Sequence, residues 1–402
     1  MTTTTPRAAR GSTRSSANST AKRQKPARRQ AVKSIPVTKS GQRAGTMLTF
    51  TVLALTVFGL VMVLSASSVT SLYDNASPYA TFQKQMIWAG LGAVGFAVAS
   101  RVDYRWLKPL AVPLLVLAVL MLVAVLVPGV GRRINGSSRW LGVGGFVVQP
   151  GEFAKLAMVI FAADLLSRRS KQMHRSDLTI RPVMLVVGLL SLLLLAQPKL
   201  GTVIVISAVG VLILFVAGAR LPHLFGWASL GVIGATVAAF SSDYRRERLL
   251  AFVDPWADPL DSGLQTIQSQ VGIASGGLVG VGLGAGRAKW GFLPYAHSDF
   301  IFAIVAEEAG LIGAGGLIAA FILLGYLGIR ASLNAPDRFG MLLAAGITSW
   351  LLIQGFMNIG MSIGLMPITG EPLPFVSAGG SSLVTTLVAA GILTNVARRA
   401  KG

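Results

Sequence analysis

Residues 47–69 read MLTFTVLALTVFGLVMVLSASSV and contain no charged side chain. A helix needs about 20 mostly apolar residues to span the hydrocarbon core of a bilayer. The run is longer than the apolar region of a typical secretory signal, and it follows a long basic segment. It therefore predicts a retained membrane-spanning helix near the start of the chain.

Similar apolar runs recur to the end of the chain. Hydrophobic residues make up 53% of the 402 residues, charged residues only 13%, and the mean hydropathy is +0.65. Because average soluble domains carry roughly a quarter charged residues, this composition excludes an ordinary soluble enzyme. We predict an all-α polytopic membrane protein with about ten transmembrane helices. The predicted spans are 47–69, 84–100, 106–128, 152–167, 182–197, 201–219, 224–240, 300–329, 340–363 and 381–397.

The fourth predicted span, residues 152–167, differs from the others. It is short, and it contains Lys155 and Asp164. Polar elements at membrane depth need cover from other parts of the protein. We therefore expect this helix to be tilted, interfacial or buried among other helices.

Lys and Arg residues set the predicted orientation. Cytoplasmic segments near helix ends carry an excess of these residues, and the segments after every second span are basic, from 101–108 to 398–402. With ten spans, both termini are predicted to be cytoplasmic. Three loops then lie outside, at about 129–151, 241–298 and 364–380. The second is the large loop between the seventh and eighth helices.

A basic tail, residues 1–46, precedes the predicted transmembrane domain at 47–397. The tail holds eleven Lys and Arg residues and no Asp or Glu, within a net charge of +21 for the chain. Because it has few large apolar residues, it is predicted to be disordered. It either enforces topology as a solvated segment or binds anionic lipid or an acidic partner. The lack of interleaved aromatic residues disfavours nucleic acid as a partner.

The chain contains no Cys, so it has no disulfide framework, Cys-zinc site or thiol nucleophile. Its three His residues, His174, His223 and His297, are far apart in sequence. This spacing does not indicate a His-rich metal site, and no metal ligand is predicted.

Both large outside loops contain Arg residues that the positive-inside rule does not explain. These residues are Arg132, Arg133, Arg139, Arg245, Arg246, Arg248 and Arg287. Long loops are partly exempt from the rule, so ordinary solvated charges are one interpretation. The other is an outward-facing anion site, because Arg side chains match the geometry of phosphate oxygens.

Five glycines, at positions 276, 277, 280, 282 and 284, follow in the second of these loops. They resemble a phosphate-binding loop, but no strand–turn–helix setting surrounds them. Tight turns or close packing near the membrane surface are the better interpretation.

Asp299 lies where this loop enters the eighth predicted helix. A lone Asp there, or the preceding Ser298, is usually a helix N-cap. Alternatively, the helix N-terminus favours the ionised carboxylate, which then acts as a base beside a phosphate-bearing lipid. Glu307 and Glu308 lie about 12 Å further along the helix at 1.5 Å per residue. They are either buried partners of a Lys or Arg or functional groups themselves.

Several short motifs follow one another along nearly the whole chain from about residue 47. They are Asn135-Gly136 with Arg139-Trp140, Gln149-Pro150-x-Glu152-Phe-Ala-Lys155, Gln197-Pro198-x-Leu200-Gly201-Thr202, Asp254-Pro255 with Gln265-x-x-Gln268-Ser269, His297-Ser298-Asp299-Phe300-Ile-Phe302, and Gly370-x-Pro372-Leu-Pro374-Phe375-x-Ser377-x-Gly379-Gly380-Ser381-Ser382. Together they resemble the SEDS family (shape, elongation, division and sporulation) of FtsW/RodA-type proteins. Leu60 to Val69 resembles the FtsW branch more than the RodA branch.

The resemblance implies a ten-helix glycosyltransferase that joins lipid II units into peptidoglycan strands and releases undecaprenyl pyrophosphate. Asp299 matches the aspartate to which the family's catalysis is attributed. The residues then expected to bind substrate are Arg139, Glu152, Lys155, Arg248, Gln265, Gln268, Ser269, Lys289, His297 and Ser377. A divalent cation could assist, although no closed metal site is evident and no other cofactor is expected.

The resemblance also implies partners and a location. Lipid II and the nascent glycan strand are the expected ligands, at the outer face of the cytoplasmic membrane and at the division septum. A class B penicillin-binding transpeptidase and other divisome membrane proteins are the expected partners, and the basic tail would contact anionic lipid or a cytoplasmic division protein. Two other functions stay open, a flippase for the same lipid and a non-catalytic divisome scaffold. No inverted repeat of the kind found in transporters is visible.

Four positions depart from the family pattern. Gly151 replaces a usual Ser, Leu264 a usual Tyr and Tyr295 a usual Glu. Lys199 replaces a usual Asp and so reverses a charge in the tight hairpin between the fifth and sixth spans. None of the four removes Asp299.

Overall fold

The computed structural model describes residues 39–75, 77–134, 137–143, 146–173, 175–241 and 243–401. Most of the predicted tail, the Asn135-Gly136 pair and His174 lie outside these ranges.

The described part of the chain contains twelve α-helices. They are α1 Lys39–Asn75, α2 Ala80–Arg101, α3 Leu107–Leu126, α4 Pro150–Arg168, α5 Ile180–Leu195, α6 Leu200–Val216, α7 Leu221–Phe240, α8 Asp243–Val253, α9 Leu264–Gly276, α10 Ile301–Leu333, α11 Arg338–Ser362 and α12 Gly380–Arg398.

Each of the ten predicted spans coincides with a helix. Six of these helices, α1, α3, α7, α10, α11 and α12, are long and apolar enough to cross a membrane. Two more, α5 and α6, are apolar but only 16 and 17 residues long. The chain is therefore a multi-pass membrane protein, as the apolar runs predicted.

The first helix begins at Lys39, earlier than the predicted Met47. Its first turns pack on the end of α12, where a Cβ built at Gly41 would lie 2.5 Å from the carbonyl oxygen of Arg398. This close contact explains why residues that resembled a tail in composition are helical.

Helix α4 is buried on nearly all sides, and it packs against α3, α6 and α11. Of the three expectations for this short span, burial among other helices is the one the structure shows. Its polar residues have partners there, because Asp164 pairs with Arg168 at 2.8 Å and Lys155 lies in an ionic cluster described below.

The loop at 129–151 corrects the all-α prediction. It forms a three-stranded antiparallel sheet of β1 Gly131–Ile134, β2 Ser137–Val143 and β3 Phe146–Val148. In its register, Gly131 pairs with Leu141, and Leu141 pairs with Val148. The strands are too short for alternation to stand out in the sequence, and they are stabilised by packing on the ends of α3, α4 and α12.

Helix α10 is interrupted at Gly310, which has a φ of +64°. The glycine-rich segment 277–282 enters the interruption, where Val281 N–H donates to the carbonyl of Glu307 at 3.0 Å. Leu311 N–H donates in turn to the carbonyl of Gly277 at 2.9 Å. Backbone groups freed by the break thus find hydrogen-bond partners in the inserted segment.

The glycines of this segment serve close packing, as expected. A Cβ at Gly280 would lie 2.2 Å from the carbonyl oxygen of Glu308, and one at Gly310 would lie 2.3 Å from the backbone nitrogen of Gly280. Because four of the five, at positions 277, 280, 282 and 284, also have positive φ, tight turns rather than a phosphate loop account for them.

Candidate functional site

A cavity of about 920 Å³ opens at the end of the bundle that carries the sheet. Its walls come from β2, the α5–α6 hairpin, α8, α9, the turn before α10 and the loop before α12. The charged and amide side chains that line it are Arg139, Gln149, Lys199, Arg245, Arg248, Gln265 and Asp299. Four cations and one carboxylate therefore face the same space.

A sharp turn presents Asp299 to this cavity. The carbonyl of Tyr295, a residue with a φ of +57°, accepts the backbone N–H groups of Ser298 and Asp299, both at 3.1 Å. The side chain of Asn358 on α11 donates to the carbonyl of Asp299 at 2.7 Å. The backbone of the aspartate is thus fixed from two sides.

The carboxylate of Asp299 does not cap the helix. Phe300 holds the cap position of α10, without a side-chain hydrogen bond to the first turn. Among the described residues, no group donates a hydrogen bond to this half-buried carboxylate. The N-cap interpretation of Asp299 is therefore wrong for the structure, and its side chain is available for another role.

Burial raises the pKa of Asp299 above its ordinary value of 3.8, and the nearby charge of Glu371 acts in the same direction. The positive charges of Arg248, Lys199 and Arg139 oppose this rise without cancelling it. The sequence predicts that the helix N-terminus favours the ionised carboxylate, whereas burial in the structure shifts the pKa of Asp299 in the opposite direction. A raised pKa suits a general base, because the best base has a pKa near the working pH.

Arg139 on β2 fixes the position of the α5–α6 hairpin. Its guanidinium donates to the carbonyl oxygens of Gln197 at 3.0 Å and Pro198 at 2.8 Å. Arg245 and Arg248 lie one turn apart on α8, which forms another part of the wall. The cations thus come from elements far apart in sequence.

An ionic cluster lies directly beneath the cavity. Lys155 pairs with Glu152 at 2.9 Å and with Glu371 at 3.0 Å, and it donates to Gln354 at 2.7 Å. Lys199 lies 3.7 Å from both carboxylates, and Thr202 donates to Glu371. All four charged side chains are buried.

Of the predicted site residues, Asp299, Arg139, Arg248 and Gln265 line the cavity, while Glu152 and Lys155 lie beneath it. The other five do not line this cavity, and a substrate-binding role for them stays a prediction. Ser269 donates to the carbonyl of Ser362 at 2.7 Å, and Lys289 pairs with Glu308 at 2.8 Å. Their polar atoms are satisfied elsewhere in the fold.

Two of the remaining three hold the loops around Asp299. Ser377 donates to the carbonyl of Ser298 at 2.5 Å, and the carbonyl of His297 accepts the N–H of Ala378 at 2.9 Å. These bonds tie the turn before α10 to the loop before α12. Gln268 lies on α9, half-buried and away from the cavity wall.

Sequence reasoning missed Lys199, Arg245 and Glu371 as members of the site. Lys199 stands out in the sequence only as a departure from the family pattern, and Arg245 is one of seven loop arginines for which an anion site is one of two interpretations. Glu371 lies within the closing motif, and its isolation among apolar and proline residues was the available signal. Among the described residues, no three Asp, Glu or His side chains gather into a metal-binding group.

Comparisons with known proteins agree with this architecture. Residues 46–402 match the FtsW/RodA/SpoVE family model, described as "Cell cycle protein". The chain is 41% identical to a "Probable peptidoglycan glycosyltransferase FtsW" of Geobacter metallireducens, over 90% of this chain and 97% of the relative. It is 42% identical to "Stage V sporulation protein E" of Bacillus subtilis, over 88% and 96%.

A solved structure is also similar. It is described as "Structural coordination of polymerization and crosslinking by a peptidoglycan synthase complex". The matching chain superposes with a TM-score of 0.72 at 32% identity, over 87% of this chain and 96% of that one.

Proposed function

The chain belongs to the FtsW/RodA/SpoVE family of cell cycle proteins, and from this premise we infer that it is a peptidoglycan glycosyltransferase of cell division. It polymerises lipid II into glycan strands and releases undecaprenyl pyrophosphate. One observation carries the assignment to the cavity: a carboxylate without a hydrogen-bond donor faces the same space as four cationic side chains.

The carboxylate supplies the base in this proposal. The 4-hydroxyl of the acceptor GlcNAc loses its proton to Asp299 while its oxygen forms a bond to the anomeric carbon of the donor. The bond from that carbon to the diphosphate oxygen breaks at the same time. Because the α-linked donor becomes a β-1,4 link, the anomeric centre inverts, and inversion needs only one base.

The cations stabilise the leaving group. As the glycosidic bond breaks, negative charge grows on the diphosphate, which needs positive partners more than a general acid. Arg139 on β2 and the two arginines of α8, Arg245 and Arg248, line the cavity. Guanidinium groups suit this role because they remain charged and match phosphate oxygens with two donors.

The ten helices that match the predicted spans would all cross the membrane in this proposal, with both termini in the cytoplasm. The cavity would then open at the outer face of the cytoplasmic membrane, close to the headgroup of lipid II. The short α4, α5 and α6 would reach across with support from their neighbours, since buried helices need no continuous lipid-facing surface. The septum would be the site of action.

The similar complex is described as coordinating polymerization with crosslinking. For this chain we propose a class B penicillin-binding transpeptidase as the corresponding partner, together with other divisome membrane proteins. The basic tail would contact anionic lipid or a cytoplasmic division protein on the other side of the membrane.

A reconstitution experiment separates this function from its two rivals. Purified protein, alone and with its transpeptidase partner, is incubated with lipid II in vesicles, and both glycan polymer and translocated lipid are measured. Polymer without translocation supports the transferase. Translocation without polymer would indicate a flippase. If neither polymer nor translocated lipid is detected, a non-catalytic scaffold is the remaining function.

A further inference from the structure

Lys199 is the residue of the cavity whose role the proposed chemistry leaves unexplained. It precedes α6 in the tight hairpin, and its backbone N–H donates to the carbonyl of Leu194 at 3.0 Å. Arg139 holds the neighbouring carbonyls of the same hairpin. The backbone therefore fixes Lys199 at the cavity wall.

The side chain of Lys199 is only 6% exposed, yet its amine has no hydrogen-bond partner among the described residues. The nearest acidic oxygens, on Glu152 and Glu371, are both 3.7 Å away. Lys155 lies closer to both carboxylates, at 2.9 and 3.0 Å, although both oxygens of Glu152 also lack a hydrogen-bond partner among the described residues. A buried ammonium without hydrogen bonds is costly, so such groups normally have a partner.

An anionic ligand would supply the missing acceptor. Lys199 lines the cavity together with Arg139, Arg245 and Arg248, so an acceptor held by the arginines would lie in the same space. Glu152 and Glu371 attract the amine of Lys199, but at 3.7 Å they are too far away to accept its hydrogen bonds. The amine therefore has donors without an acceptor among the described residues.

We propose that Lys199 binds a diphosphate oxygen of the polyprenyl-linked donor and of the released polyprenyl pyrophosphate. The inference rests on the proposed function and deepens it. It also explains a departure from the family pattern, because a lysine at this position adds a direct positive contact to an anion where an aspartate would repel it.

Binding of undecaprenyl pyrophosphate to the purified full-length chain tests the proposal without relying on turnover. Lys199→Gln should weaken binding about 10- to 100-fold, the worth of one charge-assisted hydrogen bond. Lys199→Arg should bind within a few-fold of the parent. Lys84→Gln, which changes an exposed lysine of α2 outside the cavity wall, is the matched control and should bind normally. Undecaprenyl monophosphate should lose less affinity than the pyrophosphate in Lys199→Gln.

A purely structural role would give a different result. If Lys199 only balances the two glutamates, the double variant Lys199→Gln/Glu152→Gln should recover both melting temperature and affinity, because the cluster is neutral again. We expect the double variant to recover melting temperature but not affinity. Full recovery of affinity, or parental affinity in Lys199→Gln, would overturn the inference.

The same experiment separates this inference from the proposed function. A parent that makes polymer while Lys199→Gln binds pyrophosphate normally contradicts the role of Lys199 alone. A parent that neither makes polymer nor binds undecaprenyl pyrophosphate contradicts both.

Discussion

Acidic side chains lie at two levels along α10 and the turn that precedes it, and the two levels are built in opposite ways. The upper level is Asp299 in the turn, and the lower level is Glu307 and Glu308 within the helix. Glu308 accepts from Ser65 at 2.7 Å, from Gly284 N–H at 2.9 Å and from Lys289 at 2.8 Å. Glu307 accepts the N–H of Arg287 at 2.6 Å. Two turns earlier, the Asp299 carboxylate faces an open cavity and accepts no hydrogen bond from the described residues.

This difference in hydrogen bonding distinguishes carboxylates that stabilise the fold from a carboxylate that can take part in the reaction. A buried carboxylate that accepts hydrogen bonds from several donors holds the fold around it, here the glycine segment inserted at Gly310. A carboxylate that faces a cavity without donors has capacity left for a proton. The two glutamates are therefore assigned to the architecture, as partners of Lys289 and of backbone groups, and Asp299 to the reaction.

Removing the buried ion pair of Lys289 and Glu308, in the lower level, should cause the largest loss of stability. Lys289→Met leaves Glu308 buried without its cation, which is expected to destabilise the fold by about 3–5 kcal/mol. Thermal melting of the purified chain measures the effect, with Lys84→Met as the exposed control. The double variant Lys289→Met/Glu308→Gln should recover much of the loss, and a single variant with parental melting would refute the structural assignment.

The inserted segment should be nearly as sensitive. Gly310→Ala places a Cβ 2.3 Å from the nitrogen of Gly280 at a φ of +64°, and such strain costs on the order of 1–3 kcal/mol. Gly315→Ala on the same helix is the matched control, because nothing lies within 4 Å of its added Cβ. Similar melting temperatures for the two variants would contradict the packing role of Gly310.

The activity that depends on Asp299, in the upper level, should change with pH. A base must be deprotonated, so activity should fall as pH drops through the pKa of Asp299, which burial raises above 3.8. Arg248→Gln removes a positive charge that lowers this pKa, and the acidic limb of kcat should move to higher pH. Arg246→Gln, on the exposed side of α8, is the control. A limb that stays in place or moves to lower pH in Arg248→Gln would argue against the electrostatic account.

The smallest effect is expected from the basic tail. Deleting residues 2–38, which precede α1, should leave polymerisation by purified protein near the parental rate, because the predicted site lies on the other side of the membrane. Gel-resolved glycan product measures this. If the deletion lowers the polymerisation rate as much as a cavity variant does, the tail takes part in the reaction and the prediction is wrong.

The sequence predicted the helices well because membrane spans are set by composition over many residues. It also predicted that Asp299 lies where the large loop enters the next helix, which begins at Ile301. It did not predict the sheet at 131–148, whose strands are three to seven residues long and depend on packing against helix ends. Short-range patterns carry too little signal for such strands.

The site was harder to predict than the fold. The cavity joins Arg139, Arg248 and Asp299, and their motifs pointed to them, but motif membership also selected Ser269 and Ser377, which hold the backbone. Whether a polar side chain faces a cavity or a carbonyl depends on tertiary contacts. Lys199 became informative only when its distances to two glutamates were known.

The central claim is that Asp299 is the base, and Asp299→Asn tests it most directly. Asparagine keeps the size and hydrogen-bonding capacity of the side chain but cannot take the proton. We predict that polymerisation of lipid II, with the transpeptidase partner present, falls roughly 10²–10⁴-fold, the usual worth of positioned proton transfer. The melting temperature of the same preparation should be unchanged or higher, because a neutral amide is cheaper to bury than a carboxylate. Glycan product at the parental rate would contradict the claim and return attention to Glu307 and Glu308.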